Sequence, residues 1–137
     1  MSIQSRVGPL AISSYQPGVC NIGAEEIGRR RRSGHIALIV SVALLVLLLA
    51  IAAPPWTRLI LVLTAAGSAS GYLQALSHFC AGFGSAGVFN FGPLGSVERV
   101  VDPAARRRDR LKSAQIGVES LAIGLAVGIA AALLPLR

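Results

Sequence analysis

The chain reads as an all-α integral membrane protein with three transmembrane helices, over about residues 35–53, 57–77 and 114–134. Three observations predict this class. Apolar residues fill 53% of the 137 positions and charged residues only 14%, against roughly 25% charged in soluble domains. Three apolar runs are each long enough to cross a hydrocarbon core of ~30 Å at ~1.5 Å per residue. The basic residues gather in two clusters, Arg29 to Arg32 and Arg106 to Lys112, each beside an apolar run. Positive flanks of this kind stay cytoplasmic and orient the spans. The net charge of +7 is therefore read as topogenic, with anionic lipid as its contact, and nucleic-acid binding is not expected. With both clusters on one side, an odd number of spans puts the N-terminus in the cytoplasm and the C-terminus outside. The expected location is the bacterial cytoplasmic (inner) membrane, multi-pass.

Taken in order, residues 1–34 form a cytoplasmic arm ending in a basic juxtamembrane segment, and 35–137 form the membrane domain with a cytoplasmic loop at 78–113. The first twenty residues hold Ser, Gly and Pro and no apolar core with which a signal peptide begins. Residues 21–33 predict a short helix capped by Asn21. Glu25 and Glu26 near its start and arginines at its end complement the helix dipole, while Gly28 and Gly34 weaken it. The first span carries large branched side chains all round and suits a lipid-facing position. Pro54-Pro55-Trp56 ends it, with Trp56 at the headgroup level and Arg58 snorkelling to the same interface.

The second span carries Gly67 and Gly71, a GxxxG step among Ala and Ser that lets backbones approach closely. The third repeats small residues at four-residue spacing, Ser120, Gly124, Gly128 and Ala132, and follows a helix start at Asp102-Pro103. These faces lie at similar depth, which predicts that spans two and three pack together and span one stays outside.

Between spans two and three, residues 72–92 read YLQALSHFCAGFGSAGVFNFG and include all four Phe, one His and one Cys. The stretch has no formal charge, and its glycines predict a re-entrant or interfacial loop over 81–95. Backbone of that kind at membrane depth must be covered by protein or line a water-filled cavity. Phe79, Phe83, Phe89, Asn90 and Phe91 are candidates for docking a partner or a flat cofactor, Phe89 and Phe91 placing two rings on one side of an extended piece. Cys20, His78 and Cys80, with His35, are soft and imidazole donors on the cytoplasmic side and give a candidate metal set, although His-x-Cys is no established pairing. Glu119 is the one acid inside a predicted span and so a candidate for ion or proton handling. AGFGSAG lacks the Lys-Ser/Thr of a P-loop and follows no strand.

No Ser-His-Asp set, paired carboxylates or HExxH motif can be assembled, so catalytic residues and cofactors are not expected. The function expected is that of a non-catalytic accessory or assembly subunit of a larger membrane complex, an energy-transducing complex being the example on prevalence alone, with lipids and other membrane subunits or further copies of itself as partners. The alternatives are a homo-oligomeric channel or transporter using loop 81–95 and Glu119, and a cysteine/histidine metal or redox protein at the membrane surface.

Overall fold

The computed structural model describes residues 14–136, which are mostly helical. Residues 1–13 of the expected arm lie outside the described residues. Three helical segments are long and apolar enough to cross a membrane. They are α1 (Ala24–Ala50), the segment Pro55–Ser77, in which a 3-10 helix (Pro55–Ile60) runs into α2 (Leu61–Ser77), and α4 (Pro103–Leu133). Between α2 and α4 come a short helix α3 (Ala81–Ala86) and a hairpin of β1 (Val88–Phe89) and β2 (Glu98–Arg99). The two strands pair antiparallel with Val88 opposite Arg99.

The expected juxtamembrane helix and first span are one continuous element. Gly23, not Asn21, is the N-cap of α1, and no side chain caps it. Gly28 and Gly34 each weaken a helix by about 1 kcal/mol relative to Ala, but Gly34 is where α2 makes its closest approach. A Cβ at Gly71 would come 2.6 Å from the Gly34 nitrogen, 2.7 Å from its Cα and 2.9 Å from the Arg30 carbonyl oxygen. Ser68 adds a hydrogen bond from its hydroxyl to the Gly34 carbonyl at 3.0 Å. The helix ends at Ala50 rather than 53, and the amides of Ile51, Ala52 and Ala53 turn back onto the carbonyls of Leu47, Leu49 and Leu48.

On α4 the small residues also meet α2, through a different set of positions. A Cβ at Gly124 would lie 2.5 Å from the Val62 carbonyl oxygen and 2.7 Å from the Ala66 Cβ, and Gly128 abuts Val62. Ser120 is buried on the same face and donates to the Ile116 carbonyl at 2.7 Å; Ala132 is half-buried. The glycines of α2 do not face those of α4. Gly71 faces α1, and Gly67 is exposed with only the Ala37 Cβ near it, 3.9 Å from a hypothetical Cβ. The first span is therefore not left outside: α2 is the central helix, and α1 and α4 each pack along it while hardly touching one another.

Arg58 locks the far end of this arrangement. Expected to reach for headgroups, it is instead 2% exposed. Its guanidinium donates to the carbonyls of Ala131 (3.2 Å), Leu134 (3.0 Å) and Leu136 (2.7 Å). A cation on the last carbonyls of α4 satisfies acceptors that have no helical partner and sits at the negative end of the helix dipole. At the opposite end, Asp102 caps α4 by accepting from the Ala104 amide at 3.1 Å, with Pro103 in the first turn.

Candidate functional site: a polar cap over one end of the bundle

The stretch 72–92 and residues 14–23 meet over the end of the bundle where α1 and α4 begin and α2 stops. Helix α2 stops because His78 takes the left-handed conformation (φ 53), a C-terminal geometry that His tolerates better than most non-glycine residues. Two side chains satisfy the freed backbone: Gln74 Oε1 accepts from the Ala81 amide at 2.9 Å, and Asn21 takes both polar groups of Cys80. Asn21 Oδ1 accepts from the Cys80 amide at 2.6 Å and Asn21 Nδ2 donates to the Cys80 carbonyl at 3.1 Å. The Asn21 backbone continues the seam: its amide donates to the His78 carbonyl (3.1 Å) and its carbonyl accepts from the Asn90 amide (2.9 Å). Asn90 repeats the device one loop later, accepting from the Gly92 amide at 2.9 Å and donating to the Pro93 carbonyl at 3.0 Å. The uncharged loop is thus held at Cys80 and Asn90 by residues just before α1, while residues 92–95 stay exposed.

A second clamp holds the same segment to α4. Asp109 is fully buried. One oxygen accepts from the Tyr15 hydroxyl at 2.5 Å and the other from the Gly18 amide at 2.8 Å. Burial and the Asp109 carboxylate, with a smaller contribution from Asp102, push the Tyr15 phenol well above its ordinary range. The Tyr15 ring stacks on Phe89 at 4.7 Å.

A third cluster lies where α1 passes the loop. Cys80 is the N-cap of α3. Its Sγ accepts from Arg30 Nη2 at 3.0 Å and from the Phe83 amide at 3.4 Å. Arg30 also lies over the Phe83 ring, 5.9 Å from its centroid, and pairs with Glu26 at 3.7 Å. Glu26 is 1% exposed, which an acid tolerates only when paired. A Cβ at Gly84 would strike the Ser113 hydroxyl of α4 and, beside it, the Phe79 ring at 2.7 Å, so α3 lies flush on that helix.

Placed in this geometry, the candidate residues separate. Phe79 and Asn90 are buried inside the chain and present no docking surface. Phe83, Phe89 and Phe91 are half-buried, with Phe89 and Phe91 6.2 Å apart. Cys20 donates to the Ser14 carbonyl at 3.2 Å, and burial pushes its thiol up despite an opposing backbone hydrogen bond from Gln16. His78 serves as the terminator of α2. Among the described residues no three His, Cys, Asp or Glu side chains gather as metal ligands would, and both cysteines are free.

Glu119 faces outward from α4, its carboxylate accepting from Gln115 Nε2 at 2.8 Å. It lies about 10 Å along the helix from Lys112 at 1.5 Å per residue, within the apolar part of α4. Arg30, Glu26, Asp109 and Asn21, which build the cap, are not distinguishable by spacing in the sequence. Their only signal is that each stands near an apolar run without a stated partner. Compared with known proteins, the chain matches no family model, no curated protein and no solved structure.

Proposed function

We propose that the chain is a non-catalytic accessory or assembly subunit of a larger complex in the bacterial inner membrane, with the cap in the cytoplasm. The observation that carries this reading is Glu119. A carboxylate inside a membrane span is unfavourable by about 2.5–3.5 kcal/mol at a helix centre and less near an interface. Here it faces away from α2, and among the described residues Gln115 is the only side chain that hydrogen-bonds it. The cap supports the same reading from the other direction, because its buried polar side chains are engaged with one another or with backbone. An outward carboxylate of this kind asks for a donor on a neighbouring membrane helix, which fits a subunit better than a lone protein.

The test is purification from native membranes in a mild detergent, with wild type and Glu119→Leu compared. Wild type is expected to bring down a defined set of membrane proteins in fixed ratio, and Glu119→Leu to lose most of it while remaining helical and inserted. A wild-type protein that elutes alone as a monomer would sink the reading. The channel alternative would need its path between copies, since Glu119 faces outward; flux in liposomes that falls with Glu119→Gln would revive it.

A further inference from the structure

We infer that the chain carries a specific site for one anionic glycerophospholipid, with the acyl chain along α2 and the headgroup phosphate on Arg31 and His35. Because α1 and α4 both pack on α2 and diverge, they leave a cleft of about 660 Å³ between them, within the ~300–1,000 Å³ of ordinary ligand sites. Its walls are apolar along their length, with Leu38, Val42 and Leu45 from α1, Ala69 and Leu73 from α2, and Val127 from α4. On α2 the cleft runs from Leu61 to Leu73, about 18 Å at 1.5 Å per residue. One leaflet of hydrocarbon is about 15 Å deep, half of a ~30 Å core. The length is that of an acyl chain.

One end of the cleft is chemically different. Tyr72 lines it there, and its hydroxyl hydrogen-bonds His35 Nδ1 at 2.5 Å. His35 stands three residues before Leu38 on α1, and Arg31 stands four before His35, so the three share one face of the helix. Arg31 and His35 are both exposed, and Arg31 makes no ion pair among the described residues. An apolar slot of leaflet length, headed by a guanidinium, an imidazole and a phenol hydroxyl, matches a phosphodiester on an acyl tail. The charged head of the cleft argues for a lipid over a partner helix as occupant. A partner helix has no reason to place an anion at Arg31, whereas a phospholipid carries its phosphate where the acyl chain meets the interface.

The full-length protein, purified in a neutral detergent, is titrated with phosphatidylglycerol, with phosphatidylcholine of the same chains, and with glycerol 3-phosphate, and complexes are counted by native mass spectrometry. One phosphatidylglycerol per chain is expected to bind at least tenfold more tightly than phosphatidylcholine, with glycerol 3-phosphate competing poorly. Arg31→Gln with His35→Gln is expected to remove the preference, and Ala69→Phe to abolish binding of either lipid. Equal binding of both lipids, unchanged in the Arg31/His35 variant, overturns the site. So does glycerol 3-phosphate competing as well as the lipid, which would mean a phosphate patch without the cleft. Crosslinking from position 69 that captures a second protein in stoichiometric yield would assign the cleft to a helix instead. Should Ala69→Phe fail to fold by circular dichroism, the Arg31/His35 pair, which lies on the surface, decides alone.

Discussion

At the scale of single residues, Asn21 and Asp109 tie the segment before α1 into the cap, each by closing two backbone or side-chain partners at once. Asn21 satisfies both the amide and the carbonyl of Cys80 in a fully buried setting, where an unmade hydrogen bond costs about 1–3 kcal/mol per group. Asn21→Ala leaves two such groups without partners and is expected to destabilise the cap by about 2–5 kcal/mol. Hydrogen exchange should show this as lost protection over 14–23 and 78–92 with the centre of α2 unchanged; uniform loss across the molecule would contradict the separateness of the cap. Asp109 acts likewise on Tyr15 and Gly18. The Tyr15 phenol is raised in the folded chain, so its contribution is intact below its ordinary value of 10.0 and is lost as pH rises beyond that through the folded value. Cys20, raised from 9.0 by burial, acts in the same direction. In a Tyr72→Phe background, where Tyr15 is the remaining tyrosine, phenolate absorbance is expected only well above pH 10. Asp109→Asn should move it part of the way down, since burial remains. Titration at the ordinary value in both proteins would mean that Tyr15 is not held by Asp109.

At the scale of elements, the small residues of α2 are not equivalent, although Gly67 and Gly71 read alike in sequence. A methyl at Gly71 meets Gly34 backbone at under 3 Å, whereas one at Gly67 meets only a side chain at 3.9 Å. Backbone cannot step aside as a side chain can, so Gly71→Ala is expected to cost about 1–3 kcal/mol. Gly67→Ala should be neutral or slightly stabilising, by up to about 1 kcal/mol from helix propensity. Thermal unfolding in detergent, followed by circular dichroism, separates them; equal effects would mean that α1 does not seat on Gly71. Periodicity made the three long helices legible because burial in lipid demands continuous apolar length, and that demand is local in sequence. Which helix a glycine faces is not local. It depends on Gly34, thirty-odd residues away and outside any span that hydropathy marks, and so the pairing of α1 with α2 was not readable. Asn21 shows the same limit: its type predicts a helix cap, but the clamp on Cys80 requires knowing that α2 ends at His78.

At the scale of the whole molecule, the two basic clusters fall at the same end of the bundle as the cap. Arg29 to Arg32 lie in the first turns of α1, and Arg106 to Lys112 in the first turns of α4. Arg58, the one cation near the other end among the described residues, is withdrawn from solvent onto carbonyls at and just beyond the end of α4. Among the described residues, the end bearing Trp56 therefore offers almost no exposed positive charge, while the cap end offers nearly all of it. Since positive residues resist transfer across the membrane, this asymmetry predicts a cytoplasmic cap and an outward Trp56 turn. Single cysteines at Trp56 and at Glu98, in a background where Cys20 and Cys80 are replaced by Ser and Ala, should respond oppositely to a membrane-impermeant maleimide on intact cells. Position 56 is expected to label and position 98 to label only after permeabilisation. Because Arg58 is held inside the bundle, Arg58→Leu should not invert this pattern; it should instead fray the end of α4 and lower the unfolding temperature. If Arg58→Leu inverted the labelling, Arg58 would be acting as a topological charge, and its place on the Ala131, Leu134 and Leu136 carbonyls would not be what fixes that end of the fold.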